Sequence, residues 1–219
     1  MTVEVAPRLF LRRVVGWLRI AAAALVLASL ITQVVDELLH HILVPSEYFA
    51  VFTHQVSIIT VVVFVIGGVT ALRTTADGRL LTSARVSIFS YGIVMALVYN
   101  ALLRDVHVPG YQVIDWPAEV LHVVIPVFVV LDWIIAPGAV RVGWRALWFV
   151  MIYPTAWIIA TMIRGVITGW YPYPFLEPSQ PGGWFAVAGF ILGIAAIIAG
   201  FAAVGIAISR VRSRQARPA

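Results

Sequence analysis

The run EVLHVVIPVFVVLDW covers residues 119 to 133, and from Leu121 to Leu131 every residue except His122 is apolar or proline. An imidazole can take up and hand on a proton near neutral pH, and it is also a common metal ligand. Glu119, one helical turn earlier, could hold one ring nitrogen and fix the tautomer. Pro126 has no N–H and cannot bond the carbonyl of His122, so a freed carbonyl and a kink are expected beside the ring. Water or a hydroxyl could satisfy that carbonyl, which favours a hydrated site. A helix that begins near Trp116 and Pro117 puts His122 six residues in, about 9 Å deep. Thr53 lies six residues after Glu47, again about 9 Å deep where its helix enters. A hydroxyl and an imidazole thus arrive at one level on two helices.

The composition sets what must position them. The chain has 219 residues, is 62% hydrophobic and only 11% charged, more apolar surface than a soluble domain of this length could bury. The expected fold class is all-α: a polytopic membrane protein with six transmembrane helices in one bundle and a single domain. The spans are expected at 14–36, 48–72, 83–103, 117–136, 144–168 and 184–208, with 209–219 a basic cytoplasmic tail touching anionic lipid. The first span is too long for a signal-peptide core and reads as a retained helix. Cysteine is absent, which excludes disulfides and thiol chemistry.

All 15 basic residues are arginine, and the net charge is +5. A nucleic-acid partner is not expected, because the arginines sit beside apolar runs, where they read as topology anchors. Only Arg104 and Arg164 fall on the side opposite the other arginines, so the positive-inside rule predicts both termini cytoplasmic. Asp36, Glu37, Glu47, Asp105, Asp115, Glu119 and Glu177 fall on the outer side. The arginine-only usage is that of a GC-rich bacterial genome, so a bacterial plasma membrane is the expected location.

Polar residues recur at helical spacing in the outer halves of the spans. The first carries Ser29, Gln33, Asp36 and His40, and the second Thr53, Ser57 and Thr60. The third ends with Asn100 and Arg104, the fourth carries Asp115, Glu119 and His122, and the fifth Trp157, Thr161, Arg164 and Thr168. A polar pocket open toward the outer leaflet is expected, lined in part by Asn100, Arg104 and Arg164. The inner halves read as apolar. Span six has no strongly polar group, and its stripe of Gly189, Gly193, Ala196 and Gly200 predicts a close helix approach.

Three stretches carry a resemblance. LHVVIPVF resembles the fourth helix of the androgen-induced integral membrane hydrolases, GWYPYPFLEP the outer loop before their last helix, and YFAVFTHQ the start of their second helix. The chain is also similar to six-helix bacterial membrane proteins with like motifs. The resemblance implies a membrane-embedded threonine hydrolase acting on fatty acid esters of hydroxy fatty acids, with membrane lipids and a lipid ester as partners. The family histidine falls on His122. The family threonine falls on Thr53 or, two residues earlier, on Val51, and Thr53 is the only hydroxyl at that level.

A threonine hydroxyl becomes a useful nucleophile when a base within about 3 Å takes its proton. Asn100, Arg104 or Arg164 could then stabilise the oxyanion, or Arg164 could orient a lipid carboxylate. The sequence leaves rivals open. A transporter or channel is the first, since intramembrane polar groups also mark conduction paths. His54 and His122 could hold a haem, and His54, His122 and Glu119 a zinc ion. A non-catalytic membrane component is the last. The favoured reading uses no metal and no cofactor.

Overall fold

In lipid every backbone polar group must find its partner within the chain, which selects helices. The computed structural model describes residues 5–104 and 114–215, with side chains from residue 9 to residue 213, and among these there is no strand. Asp105 and Arg217 lie outside the described residues, as do the side chains of Arg8 and Arg214. Six helices are long and apolar enough to cross a membrane. They are α1 (Val5–Leu39), α2 (Phe52–Arg73), α3 (Arg79–Leu103), α4 (Asp115–Ile135), α5 (Ala146–Thr168) and α6 (Gly183–Gln215). Each expected span overlaps one of them, but the second, expected from 48, begins only at Phe52, because Pro45–Tyr48 forms a separate short helix. The tail differs from expectation, because α6 runs on as helix to Gln215 through most of the 209–219 stretch.

Local signals set the ends. Ala136 turns to an extended conformation before Pro137, where the proline ring disfavours the helical region. Gly169 closes α5 with φ +75°, a left-handed cap that suits glycine. Two helices change register, α3 at its C-terminal end and α4 near its N-terminal end. Tyr99–Leu103 of α3 and Val120–Val124 of α4 are π segments, in which the Arg104 and Ile125 N–H groups reach back five residues to Tyr99 O and Val120 O. The irregularity expected beside Pro126 therefore takes the form of a π turn containing His122.

The inner halves are not apolar. At the end of the bundle where α1 begins, Arg12 and Arg85 clamp Asp77 at 2.7 and 2.6 Å, and Arg19 and Arg85 clamp Asp132, each at 2.8 Å. All five side chains are buried. Arg19 also donates to Gly67 O at 3.1 Å, and Arg12 to Pro137 O at 3.0 Å. Arg212 of α6 bonds Trp133 O and Ala136 O, so α1 and α6 both reach this face. Burial alone would raise the Asp77 carboxyl, but Arg85, Arg12 and Arg19 outweigh it and hold it below the ordinary carboxylate value. Three arginines expected as surface anchors thus act as internal ion-pair partners. Sequence periodicity missed them because Arg12 and Arg19 of α1 and Arg85 of α3 find their carboxylates on other elements, Asp77 before α3 and Asp132 in α4.

Small residues also act elsewhere than expected. A Cβ at Gly16 would lie 3.0 Å from Gly68 O, and one at Gly68 would lie 2.8 Å from Gly16 O, so α1 and α2 approach backbone to backbone. Gly205 of α6 meets Phe89 and Val86 of α3. Around Gly189, Gly193 and Gly200, a Cβ would meet nothing within 4 Å, so the expected close packing of that stripe is not formed among the described residues.

Candidate active site

The first turn of a helix leaves its N–H groups without partners inside the helix. Thr53 is the second residue of α2, and its N–H donates to the Tyr173 hydroxyl at 3.4 Å. Tyr173 comes from the α5–α6 loop, where Pro174–Leu176 forms a 3-10 turn anchored by buried Leu176. The Tyr173 ring stacks on Phe175 at 5.1 Å and meets Trp157. This enclosure raises the Tyr173 hydroxyl above its ordinary value, so it stays protonated and able to donate.

The hydroxyl of Thr53 points the other way, to His122 Nε2 at 3.3 Å, and both side chains are buried. The other ring nitrogen, Nδ1, lies 2.9 Å from Ala118 O. A carbonyl only accepts, so Nδ1 carries the proton. In the neutral ring Nε2 is then an acceptor, and the Thr53 hydroxyl donates to it. The π turn places Ala118 and His122 so that the ring bonds the backbone of its own helix. The opposite face of the imidazole stacks on Tyr99 at 3.8 Å and 10°. Tyr99 opens the π segment of α3, so the two register changes meet at the histidine.

Thr53, His122, Tyr99 and Tyr173 border a cavity of about 230 Å³. Apart from Thr155 and Trp157 its remaining wall is apolar and includes Val94, Met151, Pro154 and Ile198.

The other expected site residues fall outside this cavity. Glu119 does not hold the imidazole, because Ala118 O occupies that nitrogen; Glu119 pairs with Arg104, and both side chains are nearly half exposed. Asn100 is exposed and bonds Ala96 O one turn back at 2.8 Å. Arg164 is half-buried, donates to Ser46 O at 2.6 Å and lies 4.4 Å over the Trp170 ring. These long polar groups turn outward because water and carbonyls at the helix ends satisfy them more readily than an apolar cavity would. His54 stacks on Tyr48 at 3.9 Å, with Nδ1 on Tyr48 O. Among the described residues no three His, Asp or Glu side chains converge as metal ligands, so the set of His54, His122 and Glu119 has no common centre.

Tyr99 and Tyr173 escaped sequence reasoning. Aromatic residues near a membrane interface are expected as an anchoring belt, which hides a site role. No family model, curated protein or solved structure matches the chain.

Proposed function

We propose that the protein is an intramembrane hydrolase of lipid esters, with Thr53 as nucleophile and His122 as general base. The observation that carries this reading is the Thr53–His122 contact, with the imidazole tautomer fixed by Ala118 O. Thr53 Oγ1 attacks the ester carbonyl carbon while its proton passes to Nε2. The carbonyl oxygen becomes an oxyanion, and the Tyr173 hydroxyl is the donor nearest the nucleophile, in the place first assigned to Asn100, Arg104 or Arg164. Nε2–H then gives its proton to the departing alkoxide. Water, deprotonated by the same nitrogen, cleaves the acyl-threonine and releases a carboxylic acid. A main-chain carbonyl stands where many hydrolases place a carboxylate, so the imidazole is oriented but gains no added charge. The apolar cavity suits an acyl chain. The resemblance to the androgen-induced integral membrane hydrolases supports the same reading.

The proposed setting is a bacterial plasma membrane with both termini cytoplasmic and the site near the outer face. With Arg12, Arg19 and Arg85 discounted as buried, the arginines at the end of the bundle where both termini lie still far outnumber Arg104 and Arg164. Ion pairs across the inner end favour a closed pocket over a through-path for solutes.

The test is turnover of a chromogenic short-chain ester and a long-chain ester by purified protein. Thr53→Ala and His122→Ala should each lower kcat by about 10²–10⁴, and the double variant should lose little more, since the two groups share one step. Thr53→Ser should retain measurable turnover, and monodispersity in detergent is the folding control. Wild-type-like turnover by Thr53→Ala overturns the reading.

A further inference from the structure

The outer halves of α3 and α6 part from one another. The helices pack tightly inward, where Gly205 meets Phe89 and Val86, but Gly189 and Gly193 face open space. The parting spans the place where α3 changes to π register at Tyr99. It leaves a groove whose lining is entirely apolar, including Leu97 and Ala101 of α3 and Gly189 and Gly193 of α6. Two residues, Val98 and Ile194, belong both to this groove and to the wall of the Thr53–His122 cavity. The groove rim at Phe190 also touches Phe175, a lining residue of the cavity, at 5.3 Å. Groove and cavity are therefore neighbours that share Val98 and Ile194.

We propose that this groove is the berth for one acyl chain of the substrate, which reaches the cavity sideways from the bilayer between α3 and α6, past Val98 and Ile194. The proposal rests on the hydrolase reading for its substrate. Three features select an acyl chain over a second copy of this chain. The lining offers no hydrogen-bonding side chain. The groove adjoins the reaction cavity, and a partner helix seated in it would shut that side. From Gly189 to Ile197 the groove follows eight residues of helix, about 12 Å, a length suited to a straight hydrocarbon chain.

The glycines make the test clean, because a Cβ added at either meets nothing within 4 Å and a longer side chain extends into the groove. Gly193→Leu and Gly189→Leu should leave kcat/KM for a short-chain ester unchanged. For long-chain esters they should lower it, by roughly tenfold for each pair of methylenes displaced. Equal loss on short and long esters, or no loss on either, overturns the proposal. A second measurement needs no hydrolysis. Thr53→Ala protein in nanodiscs is irradiated with a long-chain ester carrying a photoreactive group on the acyl chain. Crosslinks at Leu97, Ala101 or Ile194 that disappear in Gly193→Leu support the berth, even if wild-type protein hydrolyses no ester; that second outcome would defeat only the hydrolase reading. Crosslinks confined to other lipid-facing positions such as Ile167 overturn it. Efficient disulfide dimers of Gly193→Cys, in a chain without native cysteine, overturn it in favour of a second copy.

Discussion

Replacing Asp132 by alanine tests how the inner end holds the bundle. The carboxylate accepts from Arg19 Nε at 2.8 Å, Arg19 Nη2 at 3.3 Å and Arg85 Nη2 at 2.8 Å. Both arginines are almost fully buried, Arg19 at 0% and Arg85 at 2% exposure. Without Asp132 they keep only Asp77 and a few carbonyls between them, so the cluster carries one more uncompensated positive charge. Breaking a buried ion pair by removing one partner costs about 3–5 kcal/mol. Against a usual total of about 5–15 kcal/mol, that is a large share of the stability. Asparagine is no rescue. One of its two positions is an NH₂ group, which would face a guanidinium donor where an acceptor is needed. The assay is reversible unfolding in mixed micelles with increasing ionic detergent, followed by helical circular dichroism. Arg19→Met should also destabilise, and the double variant should lose less than the sum, since each single change strands the other charge. A loss below about 1 kcal/mol for Asp132→Ala would refute the reasoning, because it would mean the cluster is hydrated and only weakly coupled.

Three further outcomes are expected. Tyr173→Phe should lower kcat by about 10²–10³ if its hydroxyl meets the oxyanion, with little change in KM; a change in KM alone would make it a binding residue. With cytoplasmic termini, a membrane-impermeant thiol reagent added to intact cells should label Ser179→Cys and spare Ser213→Cys, and the reverse pattern would invert the orientation. The folded Asp77 carboxyl lies below its unfolded value, so its contribution is present above about pH 4 and is lost as pH falls through the folded value. The stability gap between wild type and Asp77→Asn should therefore hold from pH 7 to about 5 and shrink only below about 4; shrinkage already between 7 and 5 would contradict the assigned partners.

The six helices were legible because a membrane span is a length-and-composition signal, and the chain supplies it six times. The depth of His122 was legible because rise per residue converts distance from the helix entrance into depth. The same count fails for Thr53: Pro45–Tyr48 is a separate short helix and α2 begins only at Phe52, so Thr53 sits in its first turn. The fate of the charged residues was not legible. Depth says nothing about azimuth, so Asn100 and Arg164 matched the site in height yet turn to Ala96 and Ser46. The ion-pair cluster is assembled from Arg12, Arg19, Asp77, Arg85 and Asp132, one or two on each of several elements, and a pattern within one helix cannot reveal a cluster between helices. Glycines posed the same problem. Gly16 and Gly68 bring two backbones together, whereas Gly189 and Gly193, spaced more suggestively, border empty space.

The two ends of the bundle have opposite chemistry, and this bears on how an apolar site could admit a substrate. Ion pairs and carbonyl contacts tie α1, α3 and α4 at the inner end, with Gly67 and Arg212 drawing in α2 and α6. Thr53 and His122, the proposed nucleophile and base, ride on α2 and α4, whose apolar segments are 44% and 39% buried, while α5 and α6 are each only 22% buried. Fewer buried contacts mean a lower cost of local separation. That pair is thus carried by the better-buried helices, and α6, the wall shared with the outer groove, is among the two that part most cheaply. That helix is held at Gly205 and Arg212, and toward Gly189 it meets the protein through buried Val187 and the Phe190–Phe175 contact while its glycine face stays open.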